Sequence, residues 1–265
     1  MPVRVLTPCP SSALISLSTV KLYLRLTSTD SDTLLTSLIS AASSSMISYL
    51  SIHPGRQQYE ETGRGGGQYR LYLSRLPVEE GTLTVSISDV ADTDWELEDP
   101  STGVLYRQGL WPWASLGAEN LSFTYYAGFL LPDQVSDWAA LTAKTLGSWV
   151  RPTSSSLYRY ECTTAGTTGA TIPTFLTTIG GTVTDGTCVW TTRAVQELPP
   201  FVSQWCFAEV LRLKQGTETA PGVASWEAEG VSESYFATQT STELAPNVLS
   251  GLRRWRAELG VVGVA

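Results

Sequence analysis

Residues 160–193, YECTTAGTTGATIPTFLTTIGGTVTDGTCVWTTR, carry Thr or Gly at about half of their positions and only one Glu, one Asp and one Arg. Such text reads as strands and turns. Glycine loses the most backbone freedom on ordering, and β-branched threonine is stiff against the preceding helical turn. Thr and Val suit a pleated strand, and Gly180-Gly181 and Asp185-Gly186 supply tight turns. The stretch ahead of it, WAALTAKTLGSWVRPTSSSLYRY, is ambiguous over 137–150, where a helix would fit. However, LGSWVRP followed by LYRYECTTAG reads as strand, turn, strand. Helical spacing resumes only at ELPPFVSQWCFAEVLRLKQG. A β block of about sixty residues therefore sits in the middle of a chain of different character.

Around that block, residues 30–50 place Leu35, Leu38, Ile39, Ala42, Met46, Tyr49 and Leu50 at helical spacing behind Asp30 and Asp32, with His53-Pro54-Gly55 as the stop. Residues 18–26, STVKLYLRL, alternate like a strand through Val20, Leu22, Leu24 and Leu26, while Ser18 stands where a helix cap would. From 57 to 129 the runs QQYEET, YRLYLSRLPV, GTLTVSISDV, DWELED, GVLYRQG and NLSFTYYAGF predict an antiparallel β region. GRGGG at 63–67 feeds a strand and lacks the Lys and Ser/Thr of a phosphate loop, so it reads as a flexible hairpin tip. The helix that opens with LPPF places Val202, Trp205, Cys206, Val210 and Leu213 on one face and stops at Gly216. SESYFATQT is strand-like, and residues 217–245 read as an extended arm. The closing helix APNVLSGLRRWRAELG carries Val248, Leu249, Leu252, Trp255 and Leu259 beside Arg253, Arg254 and Arg256.

Composition narrows the function. Net charge is -8 with Lys and Arg totalling 17 and scattered, so gripping nucleic-acid phosphates is not the expected task. No run of about 18 apolar residues marks a membrane span, and MPVRVLTPCPSSALISL makes a poor secretion signal. Cys9, Cys162, Cys188 and Cys206 form no CxxC pair and His53 is the single histidine, so neither a zinc site nor a nucleophile with its base is expected. Cys162 and Cys188 read as buried reduced thiols, with facing positions on two strands as the alternative. Asp89, Asp92, Asp94, Glu96, Glu98 and Asp99 lack the glycine and closing Glu of a calcium loop and read as a solvated strand and turn. No cofactor, metal or catalytic residue is expected.

The order of the pieces is informative: AAS…I..YL, YEET, the Gly-rich tip, LYLSRLPV, LSFTYYAGF, LPPFVSQWCFAEVLRLK, EGVSESYFATQT and LAPNVLSGLRRWR. Together, over 14–135 and 196–259, they resemble the head-to-tail connector, or adaptor, proteins of tailed bacteriophages. The resemblance implies an α+β fold, a small helix bundle with antiparallel strands, and makes 18–26 a helix against its period. It implies a non-enzymatic virion subunit of the neck, assembled in the host cytoplasm. About a dozen copies would form a ring that meets the portal protein above and a head-closure or tail-completion protein below, with DNA passing through unbound. Connectors run from YxAGY almost directly into LPxxL, whereas here LPDQ at 131–134 and LPPF at 198–201 are sixty residues apart. The β block thus reads as an inserted all-β module, dividing the chain into 1–135, 136–195 and 196–265.

Trp138, Gly147, Val150, Tyr160, Cys162, Pro173, Phe175, Asp185, Gly186 and Trp190 resemble the landmarks of small β modules in phage structural proteins. The module is also similar in outline to chitin-binding domains, which makes Trp149, Tyr158, Phe175 and Trp190 candidate ligand-facing aromatics of a glycan-binding decoration protein, the alternative function. A miniature core is the other use for these rings. Arg253, Arg254, Trp255 and Arg256 are the candidate contacts to the portal or a neighbouring subunit, against packing of Trp255 on its own chain.

Overall fold

The computed structural model describes residues 1–115, 119–152, 158–218, 225–228, 231–234 and 244–259. The chain divides into two compact units. One is mainly β (Met1–Ser11, His53–Leu198 and Ala257–Ala265) and the other mainly helical (Ser12–Ile52 and Pro199–Arg256).

Elements run in chain order from β1 (Val3–Thr7) through α1 (Leu17–Leu24) and α2 (Asp32–Leu50) to β2 (Gln57–Gly63), β3 (Arg70–Tyr72), β4 (Thr84–Ile87) and β5 (Val90–Asp92). Next come β6 (Glu96–Asp99), β7 (Val104–Tyr106), β8 (Leu121–Ala127), β9 (Val135–Asp137), β10 (Ala143–Lys144) and β11 (Trp149–Arg151). The chain continues with β12 (Arg159–Thr164), β13 (Gly166–Thr167), β14 (Thr182–Asp185), β15 (Cys188–Arg193) and α3 (Pro200–Glu218). Two short strands, β16 (Ser225–Ala228) and β17 (Val231–Ser234), precede α4 (Pro246–Glu258). The fold is α+β.

In the helical unit, α2 buries Leu35, Leu38, Ile39, Ala42, Met46 and Leu50 on one stripe, and α3 contributes Val202, Cys206 and Val210. Each fully buried aliphatic side chain is worth about 1.5–3 kcal/mol, which makes this stripe the main stabilising feature of the unit. Among the described residues α2 alone has the length and hydropathy to cross a membrane, yet its apolar stripe is consumed in this core. Ser43 is the one polar residue of that stripe; its hydroxyl accepts from Leu14 N at 3.1 Å and lies 3.5 Å from Cys206 Sγ. The alternating segment 18–26 is helical in α1. Its cap is Ser16 rather than Ser18, with Ser16 Oγ accepting from Thr19 N at 3.2 Å. Only Val20 of the alternating set is buried, and Lys21 pairs with Asp32 at 2.7 Å, so a cap and an ion pair decide the segment where periodicity misleads. Two stops move: α2 ends on a left-handed Ser51 ahead of His53, and α3 passes through Gly216 to Glu218. SESYFATQT lies largely outside the described residues; its first three residues, Ser232, Glu233 and Ser234, belong to β17 and pair with β16.

The β unit holds a five-stranded antiparallel sheet in the order β1-β2-β8-β4-β5 and a three-stranded one in the order β3-β7-β6. Strands β2 and β8 pair from Gln57↔Ala127 to Gly63↔Leu121, and both alternate buried with half-buried residues. Their inner residues, Tyr59, Phe123 and Tyr125, pack with Leu71, Leu105 and Trp111. Glu61 is buried among them, accepting from Tyr125 Oη at 2.7 Å and from Ser74 N at 3.0 Å. Burial, then the facing Glu61 carboxylate, raises the Tyr125 pKa well above the usual phenol value. The GRGGG segment is not a flexible hairpin tip. It joins strands of different sheets and is laced to 111–120: Gly65 N donates to Asn120 Oδ1 at 2.9 Å, Ala114 N to Gly65 O at 3.1 Å, and Gly67 N to Trp111 O at 2.9 Å.

A second five-stranded sheet, β14-β15-β12-β11-β9, is built entirely from residues 135–193, with β10-β13 as a small ribbon beside it. It is antiparallel except that β9 runs parallel to β11. The chain on either side is tied together: Leu130 N donates to Gln196 O at 2.8 Å, and Leu198 N to Leu130 O at 2.9 Å.

Candidate interaction surfaces

A single carboxylate organises the second sheet. Asp185, at the end of β14, is buried and accepts from Trp138 Nε1 at 2.8 Å, Trp190 Nε1 at 3.0 Å and Gly169 N at 2.7 Å. Gly186 at φ 63 makes the turn that returns the chain to Cys188, opposite Asp185. The D-G-T-x-x-W landmark thereby acquires a physical meaning: one oxygen of the Asp fixes two indoles that are about fifty residues apart in sequence, and the Gly allows the turn. Val150, Tyr160, Cys162, Cys188 and Trp190 form the core, with Tyr158, Phe175 and Val183 against it. Cys162 and Cys188 are free thiols, and burial raises the Cys188 pKa.

The four aromatics considered for a ligand face are therefore packing residues in this structure. Trp190 is wholly buried and Trp149 is 6 % exposed. Phe175 lies 4.2 Å, centroid to centroid, from Tyr160. Tyr158 is half-buried against the same cluster. Trp149 belongs to a second cluster with Leu130, Val135 and Val195, where the module meets the chain that leads into and out of it. Arg56 stands at this junction, its guanidinium 3.8 Å from the Tyr126 ring centroid and 5.0 Å from that of Trp149. Glu197 accepts from Arg151 at 2.9 Å and Arg159 at 2.5 Å, tying β11 and β12 to the segment that leaves the module. These partly buried, charge-assisted pairs carry more than ordinary surface ion pairs.

In the helical unit, α4 turns Val248, Leu252 and Trp255 inward. Trp255 is 3 % exposed and meets Phe201 edge-on at 6.1 Å, so its ring is used within its own chain. Arg253 and Arg254 are exposed and Arg256 is half-buried. Arg253 Nε donates to Tyr49 Oη at 3.3 Å. At Gly251 an added Cβ would fall 2.2 Å from the Trp205 ring, so the α3–α4 approach requires glycine there. Glu209 of α3 is buried, holds Arg212 through a bond of 2.5 Å, and accepts from Ala245 N at 3.4 Å at the start of α4.

The acidic run from 89 to 99 is largely consumed by structure. Arg107 pairs with Asp92 at 3.1 Å and Asp94 at 3.7 Å, and Arg70 with Glu98 at 2.6 Å. Asp99 accepts from Ser101 and Thr102, which holds its pKa below the usual carboxylate range. Among the described residues no group of three or more His, Cys, Asp or Glu side chains is placed to hold a metal ion.

A family model described as "Head completion protein" matches residues 13–145, just over half of the chain, and the chain belongs to that family. As a member of that family it is a structural protein of head completion. No curated protein matches it. Two solved structures show partial likeness: the neck of an empty gene transfer agent particle computed with sixfold symmetry, at 16% identity and TM-score 0.37, and the virion of a native gene transfer agent particle, at 15% and 0.35. Each likeness covers 49% of this chain and 72% of the other.

Proposed function

We propose that copies of this chain close into a ring at the neck, bound by the portal protein on one side and by a head-closure or tail-completion protein on the other. Family membership over 13–145 carries this reading. Cyclic closure uses heterologous contacts, in which one surface of a copy meets a different surface of the next. The net charge of -8 suits a channel through which DNA slides without sticking. The role is mechanical and asks for no catalytic group or cofactor; assembly takes place in the host cytoplasm before the tail joins. Residues 1–135 and 196–265 form the connector, and 136–195 are an inserted module, a division supported by a sheet drawn wholly from 135–193. On α4, the exposed Arg253 and Arg254, with the half-buried Arg256 beside them, contact the portal or a neighbouring copy, while Trp255 holds the helix that presents them. Burial of Trp149 and Trp190 disfavours a glycan platform on the module.

The test is negative-stain imaging of the purified protein mixed with its portal. Annular density stacked coaxially on the portal is expected, and portal particles unchanged by a molar excess of the protein would refute the reading.

A further inference from the structure

The sheet β1-β2-β8-β4-β5 ends in two strands that pair on one side only among the described residues. Both edges expose apolar side chains: Val5 and Leu6 of β1 are 46% and 39% exposed, and Val90 of β5 is 69% exposed. Soluble proteins ordinarily blunt such edges with Lys, Pro or a covering element, because an open apolar edge is a template for another chain.

The two edges match each other. Every pairing in the sheet is antiparallel, so with five strands β1 and β5 run in the same direction. A neighbour related by the small rotation of a many-membered ring nearly keeps that direction, so its β5 comes to β1 in parallel. Thr62 N donates to Pro2 O at 3.1 Å, and the register continues with Val3↔Glu61, Arg4↔Glu60 and Val5↔Tyr59. Hydrogen-bonded pairs alternate along an antiparallel ladder, so Arg4 bonds to β2 while the N–H and C=O of Val3 and Val5 point to the open side. On β5 the two-residue turn Ser88-Asp89, with φ 50 and 65, closes on Ile87↔Val90. Ala91 therefore presents its N–H and C=O outward. Side chains agree as well. Val5, opposite Tyr59, and Val90, opposite Ile87, share the inner face of the sheet with Tyr125, Phe123 and Val85. In a parallel pair, a residue with outward bonding groups stands opposite one without them. Val5 opposite Val90 meets this condition, with Ala91 N–H facing Val5 C=O. The same register sets Arg4 beside Asp89. Arg4 is 70% exposed while paired with Glu60, and the exposed Asp89 forms no ion pair among the described residues.

We propose that β5 of one copy adds in parallel to β1 of the next, with Val5 opposite Val90 and Arg4 beside Asp89, so that the inner apolar face runs on from copy to copy. The assignment rests on the ring reading and names one of its heterologous contacts. The bulge between Val5 and Thr7 confines the seam to the first part of β1.

The experiment places Arg4→Cys and Asp89→Cys together in the full chain, on a Cys9→Ser background, and oxidises the protein mixed with its portal. Opposed residues on neighbouring strands stand about 4.8 Å apart, within the reach of a disulfide, whereas the two edges of one sheet are about 19 Å apart, so only copies can be joined. A ladder of oligomers beyond the dimer is expected on a non-reducing gel, and none from either single variant. Adding Val5→Pro, which removes only an outward N–H, should cut the ladder about tenfold and leave the far-UV circular dichroism unchanged. Where the wild-type chain shows annular particles by negative stain, a missing ladder, or one indifferent to Val5→Pro, would overturn the seam and leave the ring standing. Absence of annular particles in the wild type would overturn both. A dimer from Arg4→Cys alone would overturn the seam in favour of two β1 edges paired about a twofold axis.

Discussion

The second five-stranded sheet, from 135–193, which we propose to be a module, and the helical unit hold themselves together in different ways. The helical unit relies on an aliphatic stripe, Leu35 to Leu50 of α2 with Val202 to Val210 of α3, in which the polar exception, Ser43, is fully bonded. The module has five fully buried core residues and places a carboxylate, Asp185, where three donors converge. A small β domain buries too little apolar surface to be specified by packing alone, and a satisfied buried acceptor supplies the missing uniqueness. The helical unit should therefore yield gradually to large-to-small changes, whereas the module should depend on one side chain.

The largest expected effect follows from that contrast. Asp185→Ala strands two indole N–H groups and one backbone N–H and should cost the module about 4 kcal/mol. Near-UV circular dichroism from Trp138 and Trp190 should collapse while the helical far-UV signal persists; loss of both together would break the comparison. Next, Leu252→Ala on the buried face of α4 should destabilise the helical unit by about 3 kcal/mol in urea unfolding and leave the module's near-UV signal in place. Smaller again is the paired change Arg253→Ala with Arg254→Ala. Both are exposed, so stability should move by less than about 0.5 kcal/mol, while affinity for the portal drops about tenfold in co-sedimentation. The smallest effect is a pH dependence in the β unit. His53 Nδ1 accepts from Gly55 N at 3.0 Å, and burial lowers its pKa below the ordinary 6.5. The unfolded chain then takes up a proton that the folded chain resists, so His53's contribution is complete above pH 6.5 and is lost as pH falls below it. Urea midpoints measured from pH 7.5 to 5 should show this decline, and His53→Gln should flatten it.

Much of the fold is legible in the sequence where burial and periodicity coincide. Helix α2 is readable because Leu35, Leu38, Ile39, Ala42, Met46 and Leu50 are the buried residues, and β2 and β8 because their alternation is the inside and outside of a sheet. Where they part, the sequence misleads. In α1 the alternating Leu22 is 74% exposed, so its period carries no information about a core. Strand β1 escapes notice because four of its five residues are exposed and its pairing with β2 is a long-range event. The looped segment 63–67 looks flexible because its restraints are hydrogen bonds to residues about fifty positions away. Likewise the candidate surfaces are only half visible. The arginines of α4 can be placed on a face, but whether Trp255 turns to its own chain or to a partner is not a property of one helix. The Asp185 anchor joins residues 47 apart.

The proposed reading of 136–195 as a self-supporting insertion in a connector is tested most directly by removing those residues. Leu130, Gln196 and Leu198 already hold the flanking chain together, so residues 136–195 can be replaced by a short Gly/Ser linker without stretching the backbone. The trimmed chain should remain soluble, keep its helical circular dichroism and unfold cooperatively, with a modest loss of stability from the contacts that Arg56 and Glu197 give up. An insoluble product, or one without the helical signal, would contradict the account.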